Sequence, residues 1–224
     1  MSDHITTPAP PALSRTAVDR AVSSERRRLA DTLAGLTDEQ WSTGSLCDAW
    51  SVRDVVAHLT TTTRTSLPQV LRAAVRARGS FDRMAIDLAA RRGAAHTTAE
   101  LVALLRESAA STRRLPGSAP MDPLADLVVH TQDIARPLDL RHDTPAEVVA
   151  ACLAHVAPNR FFGGPQRLAG LRIRSTDSGW SLGEGPEVSG PGIDLLLAMS
   201  GRRAGLAALT GPGVPVLAAR LAAR

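Results

Sequence analysis

Lysine is missing from this chain altogether. All 26 basic residues among its 224 are arginine, set against 22 acids for a formal net charge of +4 and a sequence pI near 10.6. The high pI reflects arginine's persistence as a cation to very high pH rather than a large excess of positive charge. The arginines are scattered, so the clustered basic stripe of a nucleic-acid binder is absent. A high-GC coding bias accounts for an Arg-only, Ala-rich composition. Cysteine is scarce: Cys47 and Cys152 make no CxxC pair and no disulfide framework, which fits a reducing cytoplasm. No apolar run approaches the roughly 18 residues of a membrane helix. The opening "MSDHITTPAPPALSR" lacks a basic region followed by an apolar core, so no secretory signal is expected there, and residues 1–15 read as a short disordered lead-in. Glycine signatures of nucleotide sites, the serine-hydrolase GxSxG and internal repeats are missing too.

What the chain does have is helical periodicity. With 44% hydrophobic and 21% charged residues it has the composition of a globular protein, long enough for one large domain or two small ones. Val18, Val22, Leu29, Leu33 and Leu36 predict a helix from Thr16, ending near Gly35. The stretch "TDEQWSTGSLCDAW" reads as a loop pinned to the core by Trp41 and Trp50. Ser51, with Asp54 three residues on, is an N-cap for a helix carrying Val52, Val55, Val56 and Leu59, which runs toward the Thr60–Thr63 cluster with a bend or break at Pro68. Further helices are expected over 81–92, after the box "TTAE" at Thr97–Glu100, from Pro123 to Pro137, and from Pro145. Beyond Pro158, Leu171/Ile173 alternate with Arg172/Arg174, and Trp180/Leu182 flank Ser181, the period of short strands. The predicted fold class is α+β: a helical body over 16–158 and a small α/β domain over 159–224.

The chemistry concentrates in "ADLVVHTQDIARPL". Asp126 and His130 stand one helical turn apart, so both side chains can converge on one point. Imidazole with carboxylate is a usual ligand pair for zinc or another divalent first-row metal. His58, beside the apolar stripe of "VRDVVAHL", supplies a third donor, and three protein ligands with a position open is the catalytic pattern. The same spacings also describe a hydrogen-bonded surface pair and a satisfied core histidine, and spacing alone does not decide. Asp133, three residues after His130, can orient that imidazole or pair with Arg136. Cys47 reads as a buried structural thiol or as one activated by the helix start that follows it.

Three segments together carry a resemblance. "LCDAWSVRDVVAHL" and "ADLVVHTQDIARPL" resemble the two signatures of the mycothiol-dependent maleylpyruvate isomerase-like family, and the tail "GEGPEVSGPGIDLLLAMSGRRAGLAALTGPGVPVLAARL" resembles the small sterol-carrier-like α/β domain that many members carry. The similarity runs from about Ala17 onward. It implies a DinB-like, up-down four-helix bundle followed by that domain. It also implies a divalent metal, taken as zinc, held by His58, Asp126 and His130. Two positions depart from the family: Asp126 stands where Glu is usual and reaches one methylene less, and Asp139 replaces the Gly that follows Arg-Pro-Leu.

The resemblance further implies mycothiol, the cofactor thiol of actinobacteria, as a metal-stabilised nucleophile in an isomerase or thiol S-transferase. Its substrate would be small and electrophilic, with or without an acidic group. Arg136 and Arg202 are the candidate catalytic arginines, since a guanidinium forks onto carboxylates. The expected setting is cytoplasmic, as a monomer or homodimer, with no nucleic-acid or membrane partner. A metal-dependent hydrolase using bound water and a non-catalytic small-ligand module remain the alternatives; an open coordination position facing a pocket separates the first two from the third.

Overall fold

Side-chain caps at Thr37, Ser51, Ser80 and Thr97 each start a helix. The computed structural model describes residues 13–64, 72–73, 75–78, 80–114 and 117–223. Helix α1 spans Arg15–Leu33 and therefore takes in the last residue expected of a lead-in; residues 1–12 lie outside the described residues. The stretch read as a loop holds a short helix, α2 (Asp38–Ser42), because Thr37 and Gln40 form a reciprocal capping box ahead of it. Helix α3 (Val52–Arg64) starts at Ser51, whose N–H and hydroxyl donate to Asp54 Oδ2 at 2.9 and 2.6 Å while Asp54 N–H donates back to Ser51 Oγ at 3.2 Å. The Thr60–Thr63 cluster stays helical, and Pro68 lies outside the described residues. Helix α4 (Phe81–Ala95) follows Ser80, and α5 (Thr98–Glu107) follows the Thr97–Glu100 capping box expected from "TTAE". Helix α6 (Asp122–Ala135) opens with Pro123 in its first turn and passes into a 3-10 turn, Arg136–Leu138, around Pro137.

These helices form one unit, Arg15–His142. Helices α1, α3, α5 and α6 pack into a bundle, with α4 laid along α3. Its core contains Val18, Val22, Leu29 and Leu33 of α1, Val52, Val55, Val56 and Leu59 of α3, Leu101 and Leu105 of α5, and Leu124, Leu127 and Val128 of α6. From Leu124 on, every residue of helix α6 but Asp126 is buried, Thr131, Gln132 and Asp133 included. It is the inner member of the bundle rather than a surface helix with one apolar stripe. Its buried polar groups are satisfied: Thr131 Oγ1 donates to Leu127 O at 2.7 Å and Gln132 Nε2 to His142 O at 3.0 Å.

The second unit begins at Asp143, not at 159. Helix α7 (Ala146–Val156) belongs to it because that helix packs on α9 (Gly192–Met199), where a Cβ at Gly192 would meet Val149 Cγ1 at 3.0 Å. Between them lie a short helix, α8 (Gly164–Leu168), and a three-stranded sheet in the order β2-β1-β3. Strand β1 (Arg172–Ser175) pairs antiparallel with β2 (Ser181–Leu182) and parallel with β3 (Glu187–Gly190), with Ile173 opposite Leu182 and Val188. Ile173 and Trp180 are buried as their alternation predicts, but Leu182 is 44% exposed, on a strand of only two residues at the edge of the sheet. Helix α10 (Val214–Ala222) closes the chain, its Arg220 guanidinium donating to the carbonyls of Arg167 and Ala169. No described helix is long and apolar enough to cross a membrane.

Candidate metal centre

The first unit brings His58, Asp126 and His130 together. His58 sits on the second turn of α3, and Asp126 and His130 sit one turn apart on α6, the helix α3 packs against. Asp126 Oδ2 lies 3.7 Å from His58 Nε2, and Asp126 Oδ1 lies 3.4 Å from His130 Nε2. The two imidazole centroids are 4.9 Å apart in a T-shaped arrangement. The His58 and His130 side chains are 15% and 11% exposed and that of Asp126 33%, so the carboxylate is the donor nearest solvent. Asp126, one residue type shorter than expected, still reaches both imidazoles.

The electrostatics are those of a charged knot. Burial alone pushes the Asp126 carboxyl up, but the imidazoles of His130 and His58 outweigh it and hold the group well below the usual carboxylate range. Burial likewise opposes a charge on His130. Asp126, Asp133 and Cys47 overcome that and raise its pKa well above the ordinary imidazole value. The Arg26 guanidinium of α1 also lies within electrostatic reach of Asp126. It is buried and satisfied by the carbonyls of Ser108 and Ser111 at 2.8 and 3.0 Å.

Behind His130 lies a second cluster. Its Nδ1 is 2.8 Å from Asp133 Oδ2, and the Cys47 thiol donates to that same oxygen at 3.1 Å. Asp133 thus orients His130, the first of the two roles open to it from sequence. With one proton held on Nδ1, Nε2 is the nitrogen that faces Asp126 and would take a metal once its own proton is displaced. Arg136 Nε donates to Gln132 Oε1 at 3.1 Å, and Arg202, in the second unit, donates through Nη1 to Ser200 O at 2.7 Å. Each of these contacts lies within the arginine's own unit.

The donor set fits a divalent cation. Two donors about 2.0–2.1 Å from a tetrahedral ion stand about 3.3–3.4 Å apart, close to the 3.4 and 3.7 Å separations found across Asp126. His58 Nδ1 is buried without a hydrogen-bond partner in the described residues, so this imidazole has no internal task that competes for its ring. Cys47, His130 and Asp133 also lie close enough to share an ion. Their 2.8 and 3.1 Å separations are hydrogen-bond lengths, however, and make them the support of His130 rather than a second centre.

Residues 22–136 match the family model of the mycothiol maleylpyruvate isomerase N-terminal domain. The chain belongs to this family. Two solved structures share its fold. One is the mycothiol-dependent maleylpyruvate isomerase in a histidine-to-alanine mutant form, with a TM-score of 0.57, 14% identity, and coverage of 88% of this chain and 91% of that one. The other is the same-named isomerase without the mutation, with a TM-score of 0.52, 16% identity and the same coverage, 88% and 91%. No curated protein matches.

The match covers α3 and α6 and hence every member of both clusters. At the end of α6, where this family member has Asp139, the residue adopts the left-handed conformation (φ 52°) that a glycine would take most easily, so the helix stop is kept despite the substitution. Two neighbours of the centre were not assigned from sequence. Cys47 is half-buried and bonded to Asp133, and Trp50 packs on both imidazoles rather than serving only as a core pin. The one signal for either was the position of "LCDAW" directly ahead of the α3 cap; nothing in its spacing pointed to residues more than 80 positions away.

Proposed function

We propose that this chain is a divalent-metal-dependent enzyme that uses a thiol cofactor of the mycothiol kind, working as an isomerase or thiol S-transferase on a small electrophilic substrate. His58, Asp126 and His130 are its metal ligands. The observation that supports this reading is the convergence of two imidazole Nε2 atoms on one carboxylate, at separations that suit coordination and with no fourth protein donor in the set among the described residues. A divalent ion there, zinc first among the candidates, would supply a position at which a thiol loses its proton at neutral pH.

The chain's own groups do the rest. Asp133 holds the Nδ1 proton of His130, so the proton that a metal displaces is the one on Nε2. Asp126, nearest to solvent, is the donor an incoming ion meets first. Arg136 and Arg202 are the guanidinium groups assigned to acidic substrate or cofactor groups, on the chemistry of the fork. Metal analysis of the purified protein tests the reading, with about one equivalent of a divalent metal expected in the wild type and none in His58→Ala. A zinc-loaded wild type that turns over maleylpyruvate or a related electrophile only with mycothiol present would establish the cofactor. A wild type that neither carries metal nor takes it up on dialysis would overturn the assignment.

A further inference from the structure

One hydrogen bond of α6 leaves the helix because of its sequence. The carbonyl of residue 133 would ordinarily accept from the N–H of residue 137, but residue 137 is proline and has none. The Asp133 carbonyl accepts instead from Leu46 N–H at 3.1 Å, which docks the loop ahead of α3 onto α6. That loop is closed on itself. Ser45 donates to the Trp50 carbonyl through its N–H and its hydroxyl at 2.8 and 2.9 Å, Gly44 bridges to Ser51, and Ala49 turns the chain at φ 63°. Trp50 is thereby held against both imidazoles, with ring centroids 5.2 Å from His58 and 6.3 Å from His130.

The two imidazoles depend on it unequally. His130 has Asp133 on Nδ1 to set its tautomer and its rotation. His58 has no such partner: its Nδ1 is buried without a hydrogen bond in the described residues. Beyond the approach of its Nε2 to Asp126, its ring is held by two aromatic neighbours, the His130 imidazole at 4.9 Å and the Trp50 indole at 5.2 Å, inclined at 50°.

We propose that Trp50 is a positioning residue of the centre. Its indole holds His58 with Nε2 toward Asp126, as Asp133 does for His130, and the Leu46–Asp133 bond that Pro137 makes possible holds the indole. This rests on the metal reading of His58, Asp126 and His130. The test measures Zn²⁺ dissociation constants by chelator competition, and the visible spectrum with Co²⁺, on full-length wild type, Trp50→Ala, Trp50→Phe and Pro137→Ala. Loss of an orienting partner typically weakens metal binding about 10–100-fold, and Trp50→Ala is expected in that range, with an altered Co²⁺ band pattern. Trp50→Phe keeps an aromatic face and should stay within about threefold of wild type. Pro137→Ala offers the Asp133 carbonyl an intrahelical N–H in place of Leu46. It should weaken binding by about threefold or more while helix propensity favours its folding, and it decides the matter if Trp50→Ala does not fold. Wild-type affinity in folded Trp50→Ala or in Pro137→Ala would overturn the proposal, as would Trp50→Phe being as weak as Trp50→Ala. A wild type that binds neither ion overturns the metal reading itself, a result distinct from a bound wild type with unaffected variants.

Discussion

At Asp133, a carboxylate with no solvent exposure accepts from the Cys47 thiol at 3.1 Å and from His130 Nδ1 at 2.8 Å, while its carbonyl accepts from Leu46. One residue therefore joins three parts of the site, and its effect on the metal passes through His130. Asp133→Asn keeps the shape and removes the charge. It is expected to weaken Zn²⁺ binding by about 10–100-fold and to lower the His130 pKa in the metal-free protein, read by NMR titration of its ring protons. Unchanged affinity would show that His130 does not need this partner. The pairing of Asp126 with His130 was legible from a spacing of four. The pairing of either with His58 was expected from its place beside the apolar stripe and from the resemblance but not from any spacing, because the distance between α3 and α6 is set by core packing between helices far apart in the chain.

Among the elements, those with a chemical start signal were the most legible: Ser51 with Asp54, Thr97 with Glu100, and Pro123 in the first turn of α6. Helix α2 was missed although its capping box is present in "TDEQ", because five residues show no periodicity. Strand β2 was only half right, since alternation predicts a face but not whether anything covers it. A different kind of contact joins α9 to the 3-10 stretch Arg203–Ala208, where backbones meet closely. A Cβ on Gly205 would lie 2.4 Å from the Asp194 carbonyl oxygen and 2.9 Å from Ala198 N. Gly205→Ala should therefore destabilise the second unit by about 1–3 kcal/mol, the range of overpacked cores, in urea unfolding followed by circular dichroism. Wild-type stability would mean that the stretch yields without cost.

Across the whole molecule, the knot of charge at the centre makes both stability and metal affinity depend on pH. His130's raised pKa contributes stability that is complete below its unfolded value of about 6.5 and is lost as pH climbs through the folded value. Asp126's depressed pKa contributes stability that is complete above its unfolded value of about 3.9 and is lost as pH falls toward the folded one. The metal-free protein should therefore draw most from this pair between about pH 4 and 6.5. Metal binding must displace the proton from His130, so the zinc-induced rise in melting temperature should grow from pH 6 to pH 8. Thermal melts with and without Zn²⁺ at each pH check this, and a rise that does not change with pH would contradict it.

Sequence by itself determined the helical body, the caps that start its helices, and the placing of Asp126 and His130 on one side of α6. All of these are consequences of interactions within a few residues, where spacing and chemistry act directly. The tertiary structure decided the rest. It set His58 against that pair, brought Cys47 and Trp50 behind and beside it, buried α6 from Leu124 on except at Asp126, and gave α7 to the second unit. Each of these depends on which faces exclude water together, and that is a property of the packed chain that no local spacing encodes.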